Sequence, residues 1–125
     1  MKLIHTPEQK ATLSKTIQLL EIFRSLDPTT EITLGEVASL IQIAIAEQRD
    51  GSSVTITELA DKAGVSLASS SRYVKALSTQ DRQGREGLGL VSSVRDPSDD
   101  RRKIVTMTSD GNKVLAKVIK IMENK

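Results

Sequence analysis

Residues 56–77 read ITELADKAGVSLASSSRYVKAL and hold two helical segments that meet at a glycine. Thr57 is a suitable N-cap for the first segment and Ser66 for the second, because hydroxyl oxygens accept hydrogen bonds from the free amides of a helix start. Gly64 suits the end of the first helix, where the backbone often turns into the left-handed region. The apolar residues of both segments recur at helical spacing. The sequence therefore predicts a helix-turn-helix at about 57–79.

The second helix of this pair has an outer face rich in serine and basic side chains. An α-helix fits the major groove of duplex DNA, and serine and arginine can hydrogen bond to phosphates and base edges. Serine is a mediocre helix former, so helix stability does not explain the serine run at 69–71. A solvated face of an ordinary helical domain is the alternative. The predicted groove contacts are Ser66, Ser69, Ser70 and Arg72, with Lys75 nearer to the DNA backbone.

Two segments with β-strand character follow at 88–94 and 103–108, separated by a charged stretch. They predict a two-stranded hairpin, or wing, at about 88–108. Arginine is favoured in a narrow minor groove, where the negative potential is strong. A hairpin whose charges serve only solubility is the alternative. The predicted wing contacts are Arg95, Arg101, Arg102 and Lys103.

Carboxylates in the same stretch would repel phosphate if they had no partner. We interpret Asp99 as an orienting partner of Arg101 that holds the shape of the turn, which leaves Arg102 or Arg95 to meet DNA. A calcium loop is not supported, because the spaced oxygen ligands and the closing glutamate are missing. The carboxylates in question are Asp96, Asp99 and Asp100.

Further helices are predicted on both sides of these motifs. Thr6, Pro7 and Gln9 are typical of a helix start, and this helix runs over about 6–26. A second helix runs from Thr33 to about Gln48, followed by a brief strand at 54–56, and a last helix covers about 109–123. The whole chain, residues 1–125, is predicted to be one domain, since it is long enough for one hydrophobic core and short for two.

Composition excludes several classes of function. Phe23 and Tyr73 are the only aromatic residues, too few for the stacking platforms of single-strand binders. The chain has no cysteine and a single histidine, His5, so we expect no catalytic site, no metal site and no cofactor. The apolar runs are too short for a membrane span, and the first residues do not suit a signal peptide. We therefore expect a cytoplasmic protein that does not bind membranes.

The segment from Val54 to Leu115 resembles the MarR-type winged helix regulators. The similarity lies in TELA…GVS at 57–66 and above all in GLV at 89–91, DPSDDR at 96–101 and VTMTSDG at 105–111. The resemblance implies a recognition helix that starts at Ser66, a supporting ion pair between Asp99 and Arg101, and arginines at the minor groove. It also implies a homodimer formed by the first and last helices. The link at 78–87 is longer, and the end of the chain shorter, than in the family pattern.

The sequence thus predicts a mainly α (α+β) winged helix-turn-helix with a two-stranded wing and terminal dimerisation helices. The predicted function is sequence-specific binding of duplex DNA by a homodimer that regulates, and most simply represses, transcription. A winged-helix adaptor that docks another protein is the alternative. The resemblance allows a small-molecule effector, but no residue indicates one. The apolar residues available for dimerisation are Leu3, Ile4, Leu13, Ile17, Leu20, Val114, Val118, Ile119, Ile121 and Met122.

Overall fold

The computed structural model describes residues 5–26, 32–50, 54–78, 87–96 and 98–123, without the side chains of 48–50 and 99–101. The mainly helical winged-helix architecture predicted from the sequence is confirmed. Its elements are α1 (Pro7–Arg24), α2 (Leu34–Asp50), β1 (Val54–Thr55), α3 (Ile56–Ala63), α4 (Leu67–Leu77), β2 (Val91–Asp96), β3 (Asp99–Met107) and α5 (Ser109–Glu123).

Reciprocal capping boxes define where α1, α2 and α3 begin. In α1 the predicted pair is present, with Thr6 facing Gln9, and in α2 Thr33 faces Glu36 in the same way. In α3 the N-cap is Thr55, whose hydroxyl accepts from the Glu58 amide at 3.1 Å, while the Glu58 carboxylate accepts from the Thr55 amide at 3.1 Å. The prediction that Thr57 caps this helix is therefore wrong. The glutamate three residues after the threonine identifies the cap.

The wing belongs to a three-stranded antiparallel sheet in the order β1-β3-β2. Val54 of β1 pairs with Val105 of β3, so the brief strand that precedes the helix-turn-helix joins the predicted hairpin at its base. The strands of the hairpin also extend further than predicted, since the sequence assigned 95–102 to a loop. Backbone pairing can continue through charged residues where a hairpin projects into solvent, so the strand boundaries predicted at 94 and 103 were wrong.

Aliphatic side chains from the helices and the sheet, together with one aromatic ring, form the core. Fully buried residues come from α1, α2, α3, α4 and all three strands, so one core holds the helix pair against the base of the wing. They are Phe23, Leu40, Ile43, Val54, Leu59, Val74, Leu77, Val91 and Val105.

Backbone hydrogen bonds tie the start of the wing to the end of α4 and to α5. The Leu90 amide donates to the Leu77 carbonyl at 2.7 Å, and the Thr108 amide donates to the Leu90 carbonyl at 3.1 Å. The Thr108 hydroxyl donates to the Gly89 carbonyl and accepts from the Gly111 amide. A Cβ at Gly111 would overlap the Leu90 carbonyl, which explains the glycine there. The wing base therefore has a fixed position relative to α4.

Candidate nucleic-acid interface

The turn between α3 and α4 has the form that the sequence predicts. Gly64 has a φ of +69°, a left-handed backbone conformation that residues with a Cβ rarely adopt. Its amide donates to carbonyls in the last turn of α3. Ser66 then caps α4, with its hydroxyl oxygen 3.0 Å from the Ser69 amide nitrogen. The two helices pack against each other, so α4 begins in a defined direction at the protein surface.

A short hydrogen-bond network covers the first turns of α4. The Ser66 hydroxyl donates to Ser69 Oγ at 3.1 Å, and Arg72 Nη2 donates to the same oxygen at 3.1 Å. Ser66 and Arg72 are exposed, and Ser69 is half-buried. Three of the predicted groove residues therefore lie together at the start of the helix, while Lys75 is half-buried in its last turn.

Ser70 does not belong to this surface. It is 0% exposed, and its hydroxyl donates to the Ile56 carbonyl at 3.2 Å, which ties α4 to the start of α3. The expectation that Ser70 is an exposed groove contact is wrong, because its position on the helix faces the packing side. Tyr73 of the same helix is half-buried, with its ring against Gly35 of α2.

The electrostatic environment of the α4 start differs from that of the other helices. Each of α1, α2, α3 and α5 has a carboxylate in its first turn, and α4 has none. The N-terminal end of a helix carries a partial positive charge, and a carboxylate there would compete with an approaching anion. The start of α4 is therefore compatible with a phosphate group.

Leu67 is a residue of this surface that the predicted contacts omit. It is the first residue of α4, and it is 56% exposed. An apolar side chain at the exposed start of a groove-binding helix can contact the 5-methyl group of thymine. Its position directly after the capping serine was the available signal.

The wing presents two basic side chains opposite each other. Arg95 of β2 pairs directly with Lys103 of β3, and both side chains are exposed. Directly opposed residues on neighbouring strands point to the same side of the sheet, so two like charges are held close together. Two like charges so close repel each other, and an anion between or beside them would lower this repulsion.

The carboxylate of Asp96 is occupied within the wing. Its Oδ1 accepts from the Ser98 amide at 2.9 Å and from the Ser98 hydroxyl at 2.7 Å, and its Oδ2 lies 3.9 Å from Arg102 Nε. The Ser98 amide, the Ser98 hydroxyl and the Arg102 guanidinium hold the pKa of Asp96 below its ordinary value of 3.8. The Asp99–Arg101 pair lies outside the described side chains and stays a prediction. Arg102, predicted to meet DNA, remains half exposed.

A second exposed surface is apolar and lies on α1 and α5. Leu13, Ile17 and Leu20 of α1 are 51%, 58% and 40% exposed, and Ile119 and Met122 of α5 are 42% and 50% exposed. We call these five residues the apolar stripe. The helices α1 and α5 also contact each other within the chain.

Not all of the residues predicted for dimerisation belong to the apolar stripe. Val114 and Val118 are buried in the core of the same chain. Leu3 and Ile4 lie outside the described residues. Beside the stripe, α1 and the start of α2 enclose an open groove of about 340 Å³, lined mainly by apolar side chains that include Ile17 and Leu20.

The described residues also bear on other kinds of site. They contain no group of three or more histidine, cysteine or acidic side chains placed to hold a metal ion. Within the same residues, no helix combines the length and the apolar character that crossing a membrane requires.

Comparison with known proteins gives matches among solved structures. No family model and no curated protein sequence matches the chain. The structure of S. aureus MepR bound to DNA superposes with a TM-score of 0.66 at 22% identity, covering 89% of this chain and 75% of that one. A mutant MarR from E. coli complexed with operator DNA gives 0.59 at 19% identity, covering 94% and 74%.

A third structure with the same architecture is that of Bordetella bronchiseptica BpsR. Its TM-score is 0.54 at 19% identity, covering 89% of this chain and 74% of that one. The resemblance noted in the helix-turn-helix and wing sequences is confirmed at the level of the fold. This chain has the winged-helix fold of the MarR-type regulators.

Proposed function

We propose that the protein binds duplex DNA as a homodimer and regulates transcription, acting in the cytoplasm as a repressor that occludes a promoter. The observation that carries the proposal is the α4–wing surface, which we define as Leu67, Ser69, Arg72, Arg95 and Lys103. It combines an exposed helix start without carboxylates with a pair of opposed basic side chains on the wing, whose base hydrogen bonds to the end of the same helix. A helix start of this kind suits the major groove, and basic strand residues suit the flanking backbone or minor groove.

The proposal gives the opposed pair on the wing a physical reason. Like charges directly across a strand pair destabilise it, by a few tenths to about 1 kcal/mol. Phosphate would relieve this repulsion between Arg95 and Lys103, so binding energy would be gained where folding energy is lost. Because these are contacts to the DNA backbone, they would contribute affinity with little sequence preference.

The apolar stripe supports the homodimer. Five large apolar side chains in one region are more than scattered surface residues explain, and burying the exposed half of each one is worth roughly 1 kcal/mol. Two copies joined through α1 and α5 would bury them around a two-fold axis. Such a dimer would present two α4 helices to half-sites about one helical turn apart.

The structural neighbours agree with this reading. MepR and MarR were each crystallised with DNA, and the DNA binding of BpsR is regulated by 6-hydroxynicotinic acid. No residue of the present chain indicates the chemistry of an effector, so none is proposed here. A protein-docking adaptor has no specific observation in its favour, because the α4–wing surface is basic rather than apolar.

Selection of bound sites from random duplex DNA, followed by titration at several salt concentrations, tests the proposal. We expect an enriched pseudo-palindrome and an affinity that falls steeply with salt. The double variant Arg95→Ala/Lys103→Ala should weaken binding to all sequences about equally, and its salt slope should be smaller by about four, because the dimer loses two cations in each protomer.

The matched control is Lys113→Ala/Lys117→Ala, which removes the same charge from exposed positions of α5. It should retain most of the parent affinity. Absence of salt-sensitive retention by any duplex would contradict DNA binding and favour the adaptor. An equal loss in both double variants would contradict the role assigned to the wing pair.

A further inference from the structure

The hydrogen bonds of Ser69 give this residue a role different from the direct groove contact predicted from the sequence. Its Oγ accepts from Arg72 Nη2 and from the Ser66 hydroxyl, both at 3.1 Å. A hydroxyl oxygen has two lone pairs, so the acceptor capacity of Ser69 is used within the protein. Ser69 is also half-buried, whereas Arg72 is exposed. The group that reaches outward is therefore the guanidinium.

The bond to Ser69 leaves Arg72 able to make a two-pronged contact. A guanidinium carries five N–H groups in one plane, and Ser69 takes one of those on Nη2. The Nε–H, the second N–H of Nη2 and the two of Nη1 remain, and neighbouring N–H groups of this set form a fork. This fork matches the O6 and N7 acceptors of guanine in the major groove.

Holding the guanidinium before DNA arrives has an energetic consequence. Arginine has many rotamers, and fixing them on binding costs conformational entropy. Ser69 is itself held by Ser66, whose hydroxyl oxygen accepts from the Ser69 amide at 3.0 Å as the helix cap. The cap, Ser69 and Arg72 thus form a chain of contacts that restricts the guanidinium before binding and lowers that cost.

Resting on the proposed function, we propose that Ser69 is a positioning residue that holds the Arg72 guanidinium towards a guanine in each half-site. In this arrangement Ser69 acts through Arg72 rather than through a DNA contact of its own. Arg72 determines the preference for guanine, and Ser69 increases that preference. A contact of Arg72 to phosphate instead of a base is the competing outcome.

The test uses the full chain and duplexes that carry the selected half-sites. Each guanine is replaced in turn by 7-deazaguanine, which lacks the N7 acceptor, and affinity is measured by fluorescence anisotropy. We expect the parent protein to lose roughly five- to twentyfold in affinity at one guanine of each half-site. Arg72→Ala should bind the normal duplex and the duplex substituted at that guanine with equal affinity. Arg72→Lys keeps the charge and loses the planar fork, so it should retain only part of the difference between the two duplexes.

Ser69→Ala separates positioning from direct contact. The cap is retained because Ser66 still accepts from the backbone amide of residue 69. We expect the preference for guanine over 7-deazaguanine to fall about threefold, while affinity for an unrelated duplex stays the same. Ser69→Thr keeps a hydroxyl on Cβ and should restore the preference. Ser71→Ala, the matched control on the neighbouring residue of the same helix, should leave it unchanged.

Three results would overturn the inference. One is a full response to 7-deazaguanine in Arg72→Ala, which would assign the guanine to another residue. Another is an equal loss by Ser69→Ala on every duplex, which would indicate a phosphate contact of Ser69 itself. The third is a parent protein that binds duplex DNA but loses no affinity at any substituted guanine. That result would leave the proposed DNA binding intact. Only failure to bind any duplex would remove the proposed function as well.

Discussion

The apolar stripe and the α4–wing surface are both exposed, but they differ in the kind of partner that would stabilise them. The stripe consists of aliphatic and methionine side chains, which gain free energy by leaving water against another apolar surface. The α4–wing surface carries exposed cations, which are well solvated and gain from an anion. Because the two surfaces use different helices, substitutions in the stripe should affect DNA binding only through loss of the dimer, whereas substitutions in the α4–wing surface should affect it directly.

The largest expected effect comes from a charge in the apolar stripe. Ile17→Asp places a carboxylate in the proposed dimer contact, where desolvation and lost burial together oppose association by about 3 kcal/mol or more. We expect the dimer dissociation constant to rise at least about a hundredfold in sedimentation equilibrium. The folded chain should persist, because Ile17 is 58% exposed.

Gln18→Asp is the matched control for this substitution. It introduces the same carboxylate at the adjacent exposed position of α1, outside the apolar stripe. The control should remain dimeric and should bind the full palindrome as the parent does, whereas Ile17→Asp should bind it only weakly. A fully dimeric Ile17→Asp protein would show that the stripe does not carry the association.

A medium effect is expected from Leu67, the apolar residue within the α4–wing surface. If its side chain contacts a thymine methyl, replacing that thymine by deoxyuridine should weaken parent binding by about 1 kcal/mol. Leu67→Ala should remove the difference between the two duplexes. Fluorescence anisotropy titrations measure this difference, with duplexes that carry a single thymine-to-deoxyuridine replacement at each position of the half-site.

Val94→Ala provides the control for Leu67→Ala. Val94 is 54% exposed on β2, so this variant removes an exposed apolar side chain from the wing instead of from α4. It should leave the response to deoxyuridine intact. The same thymine response in Leu67→Ala as in the parent would mean that Leu67 lies outside the groove.

The two regions also differ in how well the sequence predicts them. The helix-turn-helix was predictable because its signals are local: the capping serine, the turn glycine and the apolar spacing each act within a few residues. Ser70 was assigned wrongly because adjacent serines look alike in sequence. Ser70 is buried because tertiary packing places it against the preceding helix, where its hydroxyl donates to the Ile56 carbonyl.

The wing was predictable in position and less so in detail. Residues 95–102 are charged and look like a loop, but pairing between β2 and β3 continues through much of that stretch. The bond from the Met107 amide to the Glu47 carboxylate at 2.9 Å joins residues far apart in sequence, so no local pattern predicts it. The charged partner of Asp96 is likewise a property of the hairpin, which brings Arg102 Nε to 3.9 Å from its carboxylate, whereas the bonds from Ser98 join residues only two apart.

The smallest expected effect concerns this carboxylate in the wing. The pKa of Asp96 is lowered in the folded protein, so its ionised form stabilises the fold above pH 3.8, and this stabilisation is lost as the pH falls through the lowered pKa. Asp96→Asn should therefore slightly reduce the free energy of unfolding measured in urea at pH 7, and the difference from the parent should disappear in acid.

Asp61→Asn, at an exposed position of α3, is the control. A gap that is constant from pH 7 down to pH 3 would mean that shape, and not charge, is what Asp96 contributes. Because the wing then keeps its cations without their internal counter-charge, the same variant should bind DNA at least as tightly as the parent, unlike any substitution in the apolar stripe.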